Sequence, residues 1–221
     1  MPQVIFKIDK KRDLYNIWTT CNSQSKWNDL RKSATANVLK ICSGKKFEDC
    51  KKELEIPLEK IHKSDLIDIF TQSVQEGWNK INNEYFKRLE KIMKKPICSD
   101  NFTGYLTTTG RCSYDYKEKS FFFSFFNSFP QALITAGHEI MHIQFHNTYW
   151  KDIEKQIGKE KTADLKEALT VLLNIEFRDL WFSEDKGYEI HQKLRKFISE
   201  EWKKNKNFDV LMVKCIEYLK Q

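Results

Sequence analysis

Residues 129–150 read FPQALITAGHEIMHIQFHNTYW, and the reading of this stretch decides the rest of the chain. It contains no Asp, Lys or Arg and a single Glu, Glu139, which is how a buried helix reads when one carboxylate is retained. Ser128 is placed to cap the helix and Pro130 suits its first turn. Ala132, Ala136 and Gly137 allow another element to pack closely on one side. Within the stretch, His138, Glu139 and His142 form HEIMH. Residues four apart on a helix differ by roughly 40° around the axis and about 6 Å in rise, so both imidazoles can face one point.

That geometry suits a metal ion held by His138 and His142, with Glu139 beside it. A carboxylate so placed can take a proton from metal-activated water, the chemistry of zinc-dependent peptide hydrolysis. The plain alternative is a core helix whose histidines are accidental; the absence of other charge along the stretch argues against it.

A catalytic zinc takes three protein ligands and keeps one position open. Glu167, in DLKEALTVLLN, lies on a helix apolar enough to pack against the first, where a carboxylate needs a cation or a hydrogen-bond partner. His146 extends the run to HEIMHIQFH but sits roughly 12 Å along the axis from His138. Glu176 is a reserve.

These residues together resemble the gluzincin group of zinc metallopeptidases, in which HExxH supplies two histidines and the general base and a Glu on a downstream helix supplies the third ligand. The resemblance covers residues 135–144 and Glu167 with its helix. It implies zinc on His138, His142 and Glu167, with Glu139 as base. It further implies a Tyr or His from the later helices as the group that holds the developing oxyanion, for which KGYEIHQKLR offers Tyr188 and His191. Gln144 stands where the extended pattern carries an apolar residue, and Val171 where thermolysin-like members carry an Asp that orients a histidine. Asp164, Asn174 or a backbone carbonyl are the substitutes for that Asp. The metzincin pattern fails at Phe145 and Thr148. The aminopeptidase signature GxMEN is absent, which favours an endopeptidase.

Outward from this centre, 221 residues suffice for one sizeable core or two small lobes. Hydrophobic content of 40% beside 31% charged residues describes an ordinary globular composition. The net charge of +7 comes from lysines mixed with acids on predicted helices, as in KKELEIPLEK, so nucleic acid is not the expected partner. The amino terminus lacks a secretory pattern and no apolar run spans a membrane. With six cysteines and no CxxC pair, reduced thiols and a cytoplasmic location are expected.

The pattern predicts a strand over 3–8, helices from Asp13 to about Lys95, and two antiparallel strands in CSYDY and SFFFSFF. Helices then follow over 130–148 and 162–181, and two more after Gly187 and Phe208. His62, among lysines, reads as a surface residue. The expected fold is α+β: mostly helical, with a small antiparallel sheet beside an HExxH helix, zincin-like. Residues 1–95 form a helical region and 96–221 the catalytic region, or the two form one continuous domain. The expected function is a zinc peptidase acting on peptide or protein substrates. The alternative is a regulatory or binding protein that uses the same scaffold.

Overall fold

The computed structural model describes every residue except Asn28. It is mostly helical, with one four-stranded mixed sheet. The strands are β1 (Gln3–Lys7), β2 (Asn101–Thr107), β3 (Tyr114–Asp115) and β4 (Ser120–Ser124), in the order β1-β2-β4-β3. Only β3 and β4 are antiparallel, so the expectation of an antiparallel sheet holds for that hairpin alone. β1 joins β2 in parallel from Gln3 opposite Asn101, and β2 runs parallel to β4. The cause is topological: β3 lies on the outer side of β4, so β4 re-enters beside β2 in the same direction. Gly104 does not interrupt β2. An added Cβ there would stand 2.8 Å from the Phe6 ring and 3.0 Å from that of Phe121, which close over the strand.

Helix α1 (Lys10–Asn22) is capped by Asp9, whose side chain accepts from Arg12 N. It packs with α2 (Ala36–Cys42) and α3 (Phe47–His62) around Leu14, Ile17, Val38, Ile41, Cys50 and Leu54. The long α4 (Asp65–Met93) follows, its buried stripe of Val74, Trp78, Tyr85, Phe86 and Leu89 recurring every three or four residues. This stripe meets β1, the sheet's Phe102 and Phe121, and α5 (Phe129–Thr148) in a larger core. That core draws on residues before and after Pro96, from Val4 to Ile216.

Helix α6 (Trp150–Leu169) kinks at Gly158 and then packs along α5. The helix expected over 162–181 is divided into the end of α6, then α7 (Val171–Glu176) and α8 (Arg178–Trp181), with breaks at Thr170 and Phe177. After a short 3-10 turn at Glu189–His191, α9 (Gln192–Lys204) and α10 (Phe208–Lys220) complete the chain.

His62 departs from its expected surface position: its side chain is 6% exposed and its Nε2 lies 2.8 Å from Asp13 Oδ2. Asp13 also accepts from Thr107 Oγ1, Thr108 N and Thr108 Oγ1, so it ties α1 and α3 to the end of β2. All six cysteines are free. Among the described residues, no helix is long and apolar enough to cross a membrane.

Candidate metal centre

The signals that predict α5 operate locally. Ser128 accepts from Gln131 N, Pro130 occupies the first turn, and the face through Ala132, Ala136 and Ile140 is buried. Gly137 lets α5 approach its neighbours: an added Cβ would lie 2.8 Å from the Trp181 ring and 3.1 Å from that of Tyr85. Tyr85 Oη donates to Gly137 O at 2.6 Å, which fixes the turn just before His138. Gln144 is fully buried and satisfied. It accepts from Cys98 N and donates to Pro96 O, holding the segment that leads into β2.

On this turn the rings of His138 and His142 lie 4.2 Å apart, centroid to centroid. Glu167 reaches them from α6: its Oε2 is 3.2 Å from His142 Nε2 and 3.6 Å from His138 Nε2. The three ligand atoms lie within 4.8 Å of one another. His138 Nδ1 meets Asp185 Oδ2 at 2.5 Å, so a neutral His138 turns its Nε2 lone pair toward the Glu167 carboxylate. Two electron-rich atoms facing each other require a proton or a cation between them. The cluster of two imidazoles and a carboxylate could hold a metal ion.

The surrounding charges are arranged about this centre. Burial opposes a charge on His138, yet Asp185 and Glu167 together hold its pKa well above the usual histidine value. Burial and the Lys166 ammonium push His142 down to about 3. Burial alone would raise Glu167, but His142, Lys166 and His138 hold it well below the usual carboxylate range. Lys166 Nζ donates to Glu167 Oε1 at 2.6 Å and stands 4.7 Å from the centroid of the Tyr114 ring. Glu139 is raised to about 7, chiefly by burial, against the pull of His138 and Lys166.

Comparison of the chain with protein-family models, with curated proteins and with solved structures finds no match. The centre is accordingly read from its own geometry. His138 and Glu139 open onto a cavity of about 290 Å³, whose wall also includes Cys112, Gln131, Thr135, Asp185 and Tyr188. Tyr188 thus lines the same cavity as Glu139, and burial raises its phenol pKa above the ordinary value. His191 is buried behind it: its Nε2 donates to Asp164 Oδ1 at 3.1 Å, and its Nδ1 has no partner among the described residues.

Other candidates lie elsewhere. His146 is stacked between Tyr116 and Trp150 and bonds to Tyr114 Oη, apart from the three ligand atoms. Glu176 accepts from Trp202 Nε1 and Lys206. Of the groups proposed to orient the imidazoles, Asp164 serves His191, and Asn174 acts one step removed by exchanging two hydrogen bonds with the Asp185 backbone. Asp185, Lys166 and Trp27 are the residues that sequence reasoning missed. Asp185 sits in SEDKG, a stretch that reads as a solvated loop, and nothing in its spacing pointed to His138.

Proposed function

We propose that this chain is a zinc-dependent peptidase with a zincin-like centre of the gluzincin type. The observation that carries the reading is the convergence of His138, His142 and Glu167 from two helices, beside a Glu139 that opens on the same cavity. His138, His142 and Glu167 would hold the metal. Bound zinc would supply Lewis acidity, polarising a scissile carbonyl and acidifying water toward neutral pH.

Glu139, with a pKa of about 7, is poised to accept a proton from water and return it to the leaving amine. Tyr188, kept protonated by burial, lines the same cavity as Glu139 with a phenol able to donate to a developing oxyanion. His191, fixed by Asp164, supports that wall. The sheet ends at β3, just after Gly110 and Cys112, which line the cavity; an extended peptide laid there would add main-chain hydrogen bonds to the sheet edge.

The test has two parts. Metal-stripped protein reloaded with zinc should bind one ion per chain, and Glu167→Ala should weaken that binding sharply. Glu139→Gln should keep the ion while cleavage of a quenched peptide library falls at least about a hundredfold. Unchanged cleavage in Glu139→Gln, or no zinc in the native chain, overturns the reading.

A further inference from the structure

Along α5, Gln131, Thr135, His138 and His142 follow one another at intervals of three and four residues, so they share one stripe of the helix. Three of them, Gln131, Thr135 and His138, line the cavity together with Glu139. One wall of the cavity is therefore a helix face that leads to the candidate ligands. Trp27, whose Nε1 donates to Asp164 Oδ1 at 2.8 Å, packs its ring 5.4 Å from that of Tyr188, another lining residue.

The polar side chains of α5 are bonded, with two exceptions. Thr135 Oγ1 donates to Gln131 O at 2.8 Å and accepts from Asn127 Nδ2 at 3.3 Å. His138 and His142 meet Asp185 and Glu167, Gln144 bridges Cys98 and Pro96, and the polar side chains beyond it are bonded likewise. Glu139 and Gln131 are the two whose side chains have no hydrogen-bond partner among the described residues, and both line the cavity. Glu139 already has a role there as proton acceptor. The half-buried Gln131 amide has none.

A primary amide offers a carbonyl acceptor and N–H donors, the same groups that a peptide bond presents. It is matched to a main chain and indifferent to the side chain that the main chain carries. The rest of the wall agrees: of the lining residues, only Ile134 has an aliphatic side chain, so the cavity offers hydrogen bonds and not an apolar specificity pocket. From Gln131 to His138 the helix rises roughly 10 Å. An extended peptide covers that length in about three residues.

We infer that Gln131 is a substrate-binding residue whose amide exchanges hydrogen bonds with the main chain of a peptide about three residues from the bond held at the metal centre. This rests on the peptidase reading and adds the substrate class to it. The substrate is a chain extended along α5 on one side of the scissile bond and recognised there by its backbone, whatever side chain it carries.

The experiment measures binding to zinc-loaded protein, so it does not depend on turnover. Hydroxamate probes are built with one, two, three or four alanine residues on either the amino or the carboxyl side of the zinc-binding group. Each is titrated calorimetrically into wild type and Gln131→Ala, a change that removes no side-chain hydrogen bond of the fold. In one of the two series, wild-type affinity should rise about tenfold when the third residue is added. That step should vanish in Gln131→Ala, while the one-residue probe binds both proteins alike. An ester in place of the third residue's peptide bond removes the N–H and weakens the carbonyl as an acceptor. It should cost wild type several-fold in affinity and leave Gln131→Ala unchanged.

No step in either series overturns the proposal, and so does a step that Gln131→Ala retains. A step lost in Gln131→Ala but indifferent to the ester overturns it as well, because the amide would then not be reading the backbone. Failure of every probe to bind zinc-loaded protein overturns it too, since the cavity would not reach the ion. Probes that bind as expected to a protein that hydrolyses no peptide would uphold the role of Gln131 and overturn the peptidase reading alone.

Discussion

Asp185 Oδ2 stands 2.5 Å from His138 Nδ1 and sets both the tautomer and the direction of that imidazole. The carboxylate is itself fixed by Arg195 Nη1 at 3.0 Å from Oδ1 and by Thr170 Oγ1 at 3.1 Å. Burial would raise its pKa, but His138 and Arg195 hold it down to about 2. A carboxylate behind a metal-binding histidine raises the basicity of the ligand nitrogen and is worth roughly 10–100-fold in metal affinity. Asp185→Asn keeps a hydrogen-bond acceptor but loses the charge, so zinc affinity should fall within that range in a competition titration. Unchanged affinity would remove Asp185 from the centre.

Lys166 and Glu167 form a buried ion pair in which Oε1 serves the ammonium and Oε2 faces the histidines. Lys166→Met leaves a buried carboxylate without its cation, a loss of roughly 3–5 kcal/mol in comparable sites. The melting temperature of the metal-free variant should fall well below wild type, and saturating zinc should recover much of the gap, because the metal supplies the missing positive charge. A gap of the same size with and without zinc would mean that Glu167 does not face the ion.

The parts of this site that were legible in the sequence are those whose cause is local. The α5 helix announced itself through Ser128, Pro130 and a stretch with one acidic side chain, and Glu167 through its position on an apolar helix. Asp185 and Trp27 were not legible, because each is carried by an irregular segment whose path is set by side-chain contacts that no local pattern announces: Thr170 and Arg195 for one, and the distant Asp164 for the other. The sheet shows the same division. The β3–β4 hairpin was readable from its two aromatic runs, whereas the parallel pairing of Gln3 with Asn101 depends on α4 carrying the chain back across the core. His62 misled because its lysine-rich neighbours are exposed while its ring turns inward to Asp13.

Gly137 is the residue that brings α5 against Tyr85 and Trp181. Gly137→Ala puts a methyl group 2.8 Å from one ring and 3.1 Å from the other, both inside a packed core. Overpacking of this kind costs about 1–3 kcal/mol and is relieved only by shifting the helix. Chemical denaturation should show that loss, and zinc affinity should fall with it, since the displaced turn carries His138. A variant as stable as wild type would show that the rings yield without moving α5.

Glu139 makes stability depend on pH in a direction opposite to that of a salt-bridged carboxylate. Burial lifts its folded pKa to about 7, against an unfolded value of roughly 4.3. His138 and Lys166 favour its charge, while Glu167 and Asp185 oppose it. Between those two values the folded chain holds a proton that the unfolded chain has released, so this group's contribution falls as pH rises through the window and stays low above it. At about 1.4 kcal/mol per unit, the loss amounts to roughly 4 kcal/mol by pH 8. Glu139→Gln cannot ionise. In metal-free protein its stability advantage over wild type should therefore grow from pH 5 to pH 8, as read by melting temperature across that range. Parallel curves for the two proteins would show that Glu139 ionises as an ordinary exposed carboxylate, and would remove the basis for its role as a proton acceptor poised near neutrality.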